Sequence, residues 1–214
     1  MRSFRRNAGS PAKRGERLMN GAQMKVVAFN GSAHKGGNTA ILLRYVLKEL
    51  ENEGIATELI ELSGSEIHGC RACGTCAANK DRRCSQKGDM GNAYIEKMVE
   101  ADGILLGSPT YFANISPEIA ALMDRACFVS RANGSLFRRK VGAAVVAVRR
   151  AGAIPAFDAL NHFFFFSEMI VPGSSYWNVG IGREPGDVEQ DAEGIRTMKT
   201  LGQNMAWLLK KLKN

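Results

Sequence analysis

The chain has 214 residues, 45% of them hydrophobic and 23% charged, with five cysteines and a formal net charge of +8. This length and composition suit one globular domain with a substantial core, and no apolar run approaches the roughly 20 residues of a membrane span; the longest aromatic run is Phe163 to Phe166. Residues 1–23 hold six Lys or Arg and one Glu, leaving 23 basic against 20 acidic residues in the rest, so the charge sits mostly in the tail and argues against a nucleic-acid surface on the main domain.

Residues 1–23 have no apolar segment after their arginines, which excludes a secretory signal, and Arg5-Arg6 alone do not make a twin-arginine leader. We expect a basic, disordered extension, or a start of the protein proper at Met24. A weak contact of this tail with nucleic acid or an acidic partner is the lesser reading. Residues 24–214 then form the domain.

The first predicted strand, Lys25 to Phe29, is rich in β-branched and aromatic residues and runs into GSAHKGGNT (31–39). Gly31, Gly36 and Gly37 lack Cβ and let N–H groups crowd around an anion, and Asn38 or Thr39 is placed to cap the following helix, whose N-terminus attracts phosphate. Gly31 and Gly36 have the spacing of a triphosphate-binding loop, but Gly37 stands for its lysine and Asn38 for its magnesium-binding hydroxyl; Ala33 breaks the dinucleotide pattern G-x-G-x-x-G. The donors that remain, Ser32, His34, Lys35, Asn38 and Thr39, suit a terminal monophosphate.

A helix at about Asn38 to Glu53 places Leu43, Val46, Leu47 and Leu50 on one stripe. A second strand, Ala56 to Leu62, leads into a cysteine-rich loop at 69–88, and Asp89 is placed to cap a helix reaching about Ala101. Within the loop Cys70, Cys73, Cys76 and Cys84 read C-x2-C-x2-C-x7-C. Three thiols three residues apart in a glycine-containing loop can wrap three corners of a [4Fe–4S] cubane, with the fourth arriving from a short excursion. Thiols packed without metal, and zinc, are the alternatives; structural zinc sites usually split into two C-x2-C knuckles with a longer gap. Disulfides are disfavoured without a secretory signal. Arg71, Lys80, Arg82, Arg83 and Lys87 would offset the negative charge of a thiolate-bound cluster, or else form a solvated basic loop.

A third, fully buried strand spans Gly103 to Leu106, a long helix about Ser116 to Arg131, a fourth strand Val141 to Val148, a helix about Ile154 to Ser167, a short fifth strand Met169 to Val171, and a last helix about Asp191 to Leu212. Five strands alternating with five helices make a doubly wound α/β sheet. Ligands of such sheets bind beyond the carboxyl ends of the strands, so the loops 31–39, 107–116 and 149–153 should converge. The second offers Tyr111 and Phe112 as flat partners for a ring, Thr110 and Asn114 as hydrogen-bonding groups, and Pro109 to stiffen the turn. A monophosphate at one end and an aromatic ring at the other describe FMN.

The segments GSAHKGGNT, the cysteine cluster, ADGILLGSPTYFANIS with Met123-Asp124-Arg125, RRAGA (149–153) and GSSYWN (173–178) resemble the flavodoxin-like NADPH-dependent FMN reductase family, and more narrowly its iron–sulfur flavoprotein branch. The resemblance covers nearly everything except the tail. It implies a flavodoxin-like three-layer sandwich whose five-stranded parallel sheet has the order 2-1-3-4-5 with helices on both faces. It implies that Ser32, Lys35, Asn38 and Thr39 hold the FMN phosphate, that Pro109 to Asn114 border the isoalloxazine, and that Arg149, Arg150 and Gly152 belong to a loop closing over it. His34 stands where the family frequently has arginine and brings less charge.

The function expected is a cytoplasmic redox flavoprotein, in which FMN takes electrons from NAD(P)H or a ferredoxin-like donor and passes them to a small acceptor through a [4Fe–4S] cluster. The alternatives are a cluster-free NADPH-dependent FMN or quinone reductase and a non-enzymatic flavodoxin-type carrier. Hydride transfer to a flavin requires no protein acid or base, so no catalytic residue is named. A homodimer or homotetramer is the family expectation. Among the remaining residues, Cys127 reads as a buried structural cysteine and His68 as an exposed loop histidine. Arg125 would pair with Asp124 or with another chain; His162 and Phe163 to Phe166 would pack in the core or at a subunit interface; Tyr176 and Trp177 would cover the ring or an oligomer contact.

Overall fold

The computed structural model describes residues 23–213; apart from Gln23, the extension read at 1–23 lies outside them. Strands β1 (Lys25–Asn30), β2 (Ala56–Glu61), β3 (Gly103–Pro109), β4 (Val141–Val148) and β5 (Val179–Ile181) form one parallel sheet in the order β2-β1-β3-β4-β5. Helices α1 (Asn38–Asn52), α2 (Thr75–Asn79), α3 (Gly91–Glu100), α4 (Pro117–Ala132), α5 (Ala153–Phe166) and α6 (Ala192–Lys213) connect them. No described helix is long and apolar enough to cross a membrane.

Every residue of β4 is buried, and β1 and β3 are nearly so. Successive side chains of a strand point to opposite faces, and each face has its own core. Val27, Phe29, Ile104, Leu106, Ala144 and Val146 meet α3, α4 and α5. Val26, Ala28, Leu105, Ala143 and Val145 meet α1 and α6, which contribute Leu43, Val46, Leu50, Met198, Leu201 and Met205 to the same core. Double coverage explains why these strands read as continuous apolar runs rather than alternating ones.

Two features differ from the sequence reading. The fifth strand is Val179–Ile181, paired to Val146–Val148, not Met169 to Val171. Ile170 does bridge to Val141, through Lys140 and Gly142 backbone groups, but Pro172 has no N–H to extend a ladder, and the chain winds through 173–178 before it rejoins β4. Among the described residues the α-helices number six rather than five, because a short helix, α2, forms inside the cysteine loop.

β1 meets the start of α4 closely. A Cβ on Gly31 would lie 2.2 Å from Ile119 Cγ1 and 2.7 Å from Ser116 Oγ, so this glycine is required by helix packing. Its N–H donates to Gly107 O (2.8 Å) and is not available to an anion. Gly31→Ala should therefore destabilise the protein by about 1–3 kcal/mol through overpacking; urea unfolding checks this, and an unchanged midpoint would contradict the packing assigned to Gly31.

Candidate functional site

All five connections that leave the carboxyl ends of the strands lie along one edge of the sheet. After β1, Ser32 N–H donates to Asn30 Oδ1 (3.0 Å) and His34 N–H to Ser32 Oγ (3.1 Å). Gly36, whose φ of +68° favours glycine, donates to Glu61 Oε1 (3.2 Å), and the Asn30 amide donates to the other oxygen of the same carboxylate. Glu61, at the end of β2, thus shapes this loop. Ser32 and Thr39 are buried, while His34 and Lys35 project into solvent.

The cap of α1 is Gly37, without a side-chain hydrogen bond, so neither Asn38 nor Thr39 caps the helix. Asn38 instead donates to Glu184 O (2.9 Å) and accepts from Gly186 N–H (2.8 Å), tying the loop after β5 to the loop after β1. The N–H groups of Asn38 and Thr39 stand in the first helical turn, where an α-helix has no internal acceptor for them.

After β3, Thr110 N–H donates to Ala147 O (2.9 Å), yet Thr110 Oγ1 is buried with no hydrogen-bond partner. Tyr111 and Asn114 exchange two backbone bonds of 2.9 Å around Phe112 and Ala113, at φ +49° and +58°. This is a two-residue hairpin of the kind usually built from Asn-Gly; here it holds the Phe112 ring fully in solvent, with Tyr111 and Asn114 also exposed. Arg149 and Arg150 follow β4 and are exposed, and a Cβ on Gly152 would lie 3.1 Å from Ala113 Cα and 3.4 Å from Thr110 Cγ2. The three loops read from the sequence therefore do meet, Gly31 against Ser116 and Gly152 against Thr110 and Ala113.

The loop after β2 folds down against the second half of α4. Cys70, Cys73, Cys76 and Cys84 line one cavity of about 370 Å³, with Phe128, Val129, Arg131 and Arg125 as its helical wall. All five cysteines are free thiols. Sulfur atoms receive donors from Ala72 N–H at Cys70 (3.3 Å), Thr75 Oγ1 at Cys73 (3.3 Å) and Gln86 N–H at Cys84 (3.5 Å). Hydrogen bonds from the Ser85 and Thr75 hydroxyls lower the Cys73 thiol to about 7. Burial pushes Cys76 up, reinforced by the negative charge of Cys84 and Cys70 thiolates. Among the described residues no three Cys, His, Asp or Glu side chains are gathered to hold a single metal ion; the four thiols are spread around the cavity wall. About 18 Å of helix separates Ser116, at the converging loops, from Phe128, at this cavity.

Five of the eight non-glycine residues with positive φ among the described residues lie in these two regions: Ala72, Lys80, Arg82, Phe112 and Ala113. Such conformations cost roughly 1–2 kcal/mol each and cluster where a loop is held for a purpose.

Arg125 departs from the sequence reading. It pairs with Asp89, not Asp124, and is fully buried. Leu122, Ala126 and Val129 face the core on α4, so position 125 falls at the inner side of that stripe, a register legible in the sequence. Asp89 also accepts from Gly91 N–H (3.1 Å) at the start of α3 and from His68 N–H (3.1 Å). Burial alone would raise the Asp89 carboxyl, but these hydrogen bonds and the guanidinium outweigh it and hold its pKa below the ordinary value. His68 is exposed as expected, and Cys127, half-buried against α5, is raised by burial. Of the aromatic run, Phe163 and Phe164 are core, while Phe165, Phe166 and His162 are exposed; Tyr176 and Trp177 stack edge to face on the surface.

The family model for NADPH-dependent FMN reductase matches residues 24–184. An iron–sulfur flavoprotein of Methanocaldococcus jannaschii is 36% identical over 197 residues, covering 89% of this chain and 100% of the relative. One from Methanosarcina thermophila is 31% identical over 189 residues, covering 87% and 95%. Among solved structures, RosB with bound 8-demethyl-8-formylriboflavin-5'-phosphate superposes with a TM-score of 0.72 at 18% identity, covering 89% of this chain and 80% of that one. An archaeal flavodoxin gives 0.58 at 18%, covering 87% and 99%.

The ion pair yields a stability prediction. Asp89→Asn leaves Arg125 charged and uncompensated, which should cost about 3–5 kcal/mol at pH 7. Because the folded-state pKa of Asp89 is depressed, the pair contributes fully above the unfolded value near 4 and fades as pH falls through the lower folded value. Denaturation curves of wild type and Asp89→Asn should therefore draw together in acid; a constant gap would contradict the assignment.

Proposed function

The chain belongs to the NADPH-dependent FMN reductase family, and from that premise we propose that it is an FMN-dependent oxidoreductase with a [4Fe–4S] cluster in its cysteine cavity. Reducing equivalents enter from NAD(P)H or a ferredoxin-like donor and leave to a small acceptor. When bound, FMN supplies a hydride acceptor that also exchanges single electrons, and the cluster supplies one-electron exchange.

The observation that carries this reading is a pair of separate sites on one chain: three converging loops, and a cavity walled by four free thiols. The flavin half rests on residue types suited to each end of FMN. Ser32, His34, Lys35, Thr39 and the N–H of Asn38 bind the phosphate, the Asn38 side chain being committed to the loop after β5. Pro109, Thr110, Tyr111, Phe112 and Asn114 border the ring. The orphaned hydroxyl of Thr110 is the best fit test, since a buried donor without a partner costs free energy unless a ligand satisfies it. Arg149, Arg150 and Gly152 form the rim, where Gly152 packs on that loop and the two arginines are exposed. The cluster half rests on the donor set: Cys70, Cys73, Cys76 and Cys84 around a shared space, rather than gathered on one ion, suit a polynuclear group better than zinc.

The relatives' names, iron–sulfur flavoprotein, support the same reading. Exposed Arg71, Lys80, Arg82, Arg83 and Lys87 surround the cysteines and suit docking of an acidic electron donor. Free thiols fit a reducing compartment, the cytoplasm, and the exposed rings of Phe128, Phe165 and Phe166 fit a homodimer or homotetramer.

Anaerobic stopped-flow mixing with NADPH tests the activity: the flavin absorbance should bleach and recover on adding a quinone, in wild type and in Cys76→Ser alike. Turnover with a one-electron donor should survive only in wild type. A flavin that neither NADPH nor a one-electron donor reduces would refute the assignment. Thr110→Val should weaken FMN binding by about 1 kcal/mol, roughly fivefold, with no loss of apoprotein stability, because Thr110 Oγ1 has no protein partner to lose; flavin-fluorescence titration and thermal melts read the two effects.

A further inference from the structure

Among the described residues one arginine, Arg125, is fully buried, and its bonding is incomplete. Arg125 sits on α4 and pairs with Asp89; its Nη1 also donates to His68 O (3.4 Å) and its Nη2 to Gln86 O (3.3 Å). The Gln86 amide in turn crosses to Gly69 O (3.0 Å). His68 and Gly69 immediately precede Cys70, and Gln86 follows Cys84 by two residues. One guanidinium therefore ties together the two arms of the loop that carries all four thiols.

Room for the guanidinium is made at Gly91, where a Cβ would lie 2.3 Å from Arg125 Cζ. A salt bridge serving stability alone would be expected to use every buried donor, since each unpaired one costs free energy. Here Nε is buried without an acceptor, and Arg125 lines the same cavity as the four cysteines.

We propose that Arg125 is the positioning residue of the cysteine cavity: it clamps both arms of the loop, and its charge and free Nε–H raise the reduction potential of the cluster held there. The inference rests on the cluster reading given above. A [4Fe–4S] core bound by four thiolates is an anion that becomes more negative on reduction, and of the ion pair only Arg125 lines the cavity while Asp89 does not, so the guanidinium end of the pair faces the core and stabilises its reduced form. The surface cations of the loop do this less well, because water and salt screen them. Lysine at 125 would keep a charge but not the planar fork that reaches two loop segments at once.

The test compares the full chain, purified and reconstituted anaerobically with iron and sulfide, as wild type, Arg125→Lys and Arg125→Gln. Iron and acid-labile sulfide per chain, resistance to a chelator, and the midpoint potential from an EPR-monitored redox titration are measured without any turnover assay. Both variants should lose iron to the chelator more readily, by roughly ten- to a hundredfold. The midpoint potential should move to more negative values, further in Arg125→Gln than in Arg125→Lys. Wild-type loading, chelator resistance and potential in Arg125→Lys would overturn the proposal even if Arg125→Gln failed to fold. A wild-type chain that takes up no iron would overturn the cluster reading and this inference with it, an outcome distinct from normal clusters with unchanged potentials.

Discussion

β1, β3 and β4 are covered on both faces, so the polar groups this chain offers to a ligand are displaced to the loops at the carboxyl ends of its strands. A buried backbone must pair its own N–H and C=O groups, and the parallel ladder does that for the strands. The loops have no ladder, and side chains complete them: Asn30 and Glu61 for the turn after β1, Asn38 for the link to the turn after β5, Ser108 for the start of α4. The site geometry depends on this exchange of regular pairing for side-chain pairing.

Much of this was legible in the sequence. Strands buried on both faces announce themselves as apolar runs of β-branched residues, and β4 begins and ends where the run Val141 to Val148 does. The stripe on α1 is a local signal that depends on few distant contacts. β5 is less legible because two short segments line β4: Ile170 bridges Val141 at its start and Val179–Ile181 pairs with Val146–Val148 at its end, and only the three-dimensional path of 172–178 makes the later one the strand.

The candidate site was legible in its residue types and less so in its connections. The glycines of the first loop suggest room for an anion, whereas Gly31 makes room for Ile119. Asn38 has the position of a cap and phosphate donor, but its side chain is bonded to residues 184 and 186, far away in sequence. Glu61 and the Asp89–Arg125 pair left no motif, since each joins elements that only the fold brings together. The cysteine spacing, by contrast, is a local signal, and the four thiols share one cavity.

The two sites proposed for redox groups lie at the start of α4 and beside its second half, and five of the eight non-glycine positive-φ residues among the described residues fall in these regions. The most direct measurement is the anaerobic absorption spectrum of the purified protein, before and after dithionite. A bound flavin and cluster should give twin bands on a broad visible shoulder, both bleaching on reduction. Twin bands without the shoulder would remove the cluster, and a colourless protein that takes up no FMN would contradict the account as a whole.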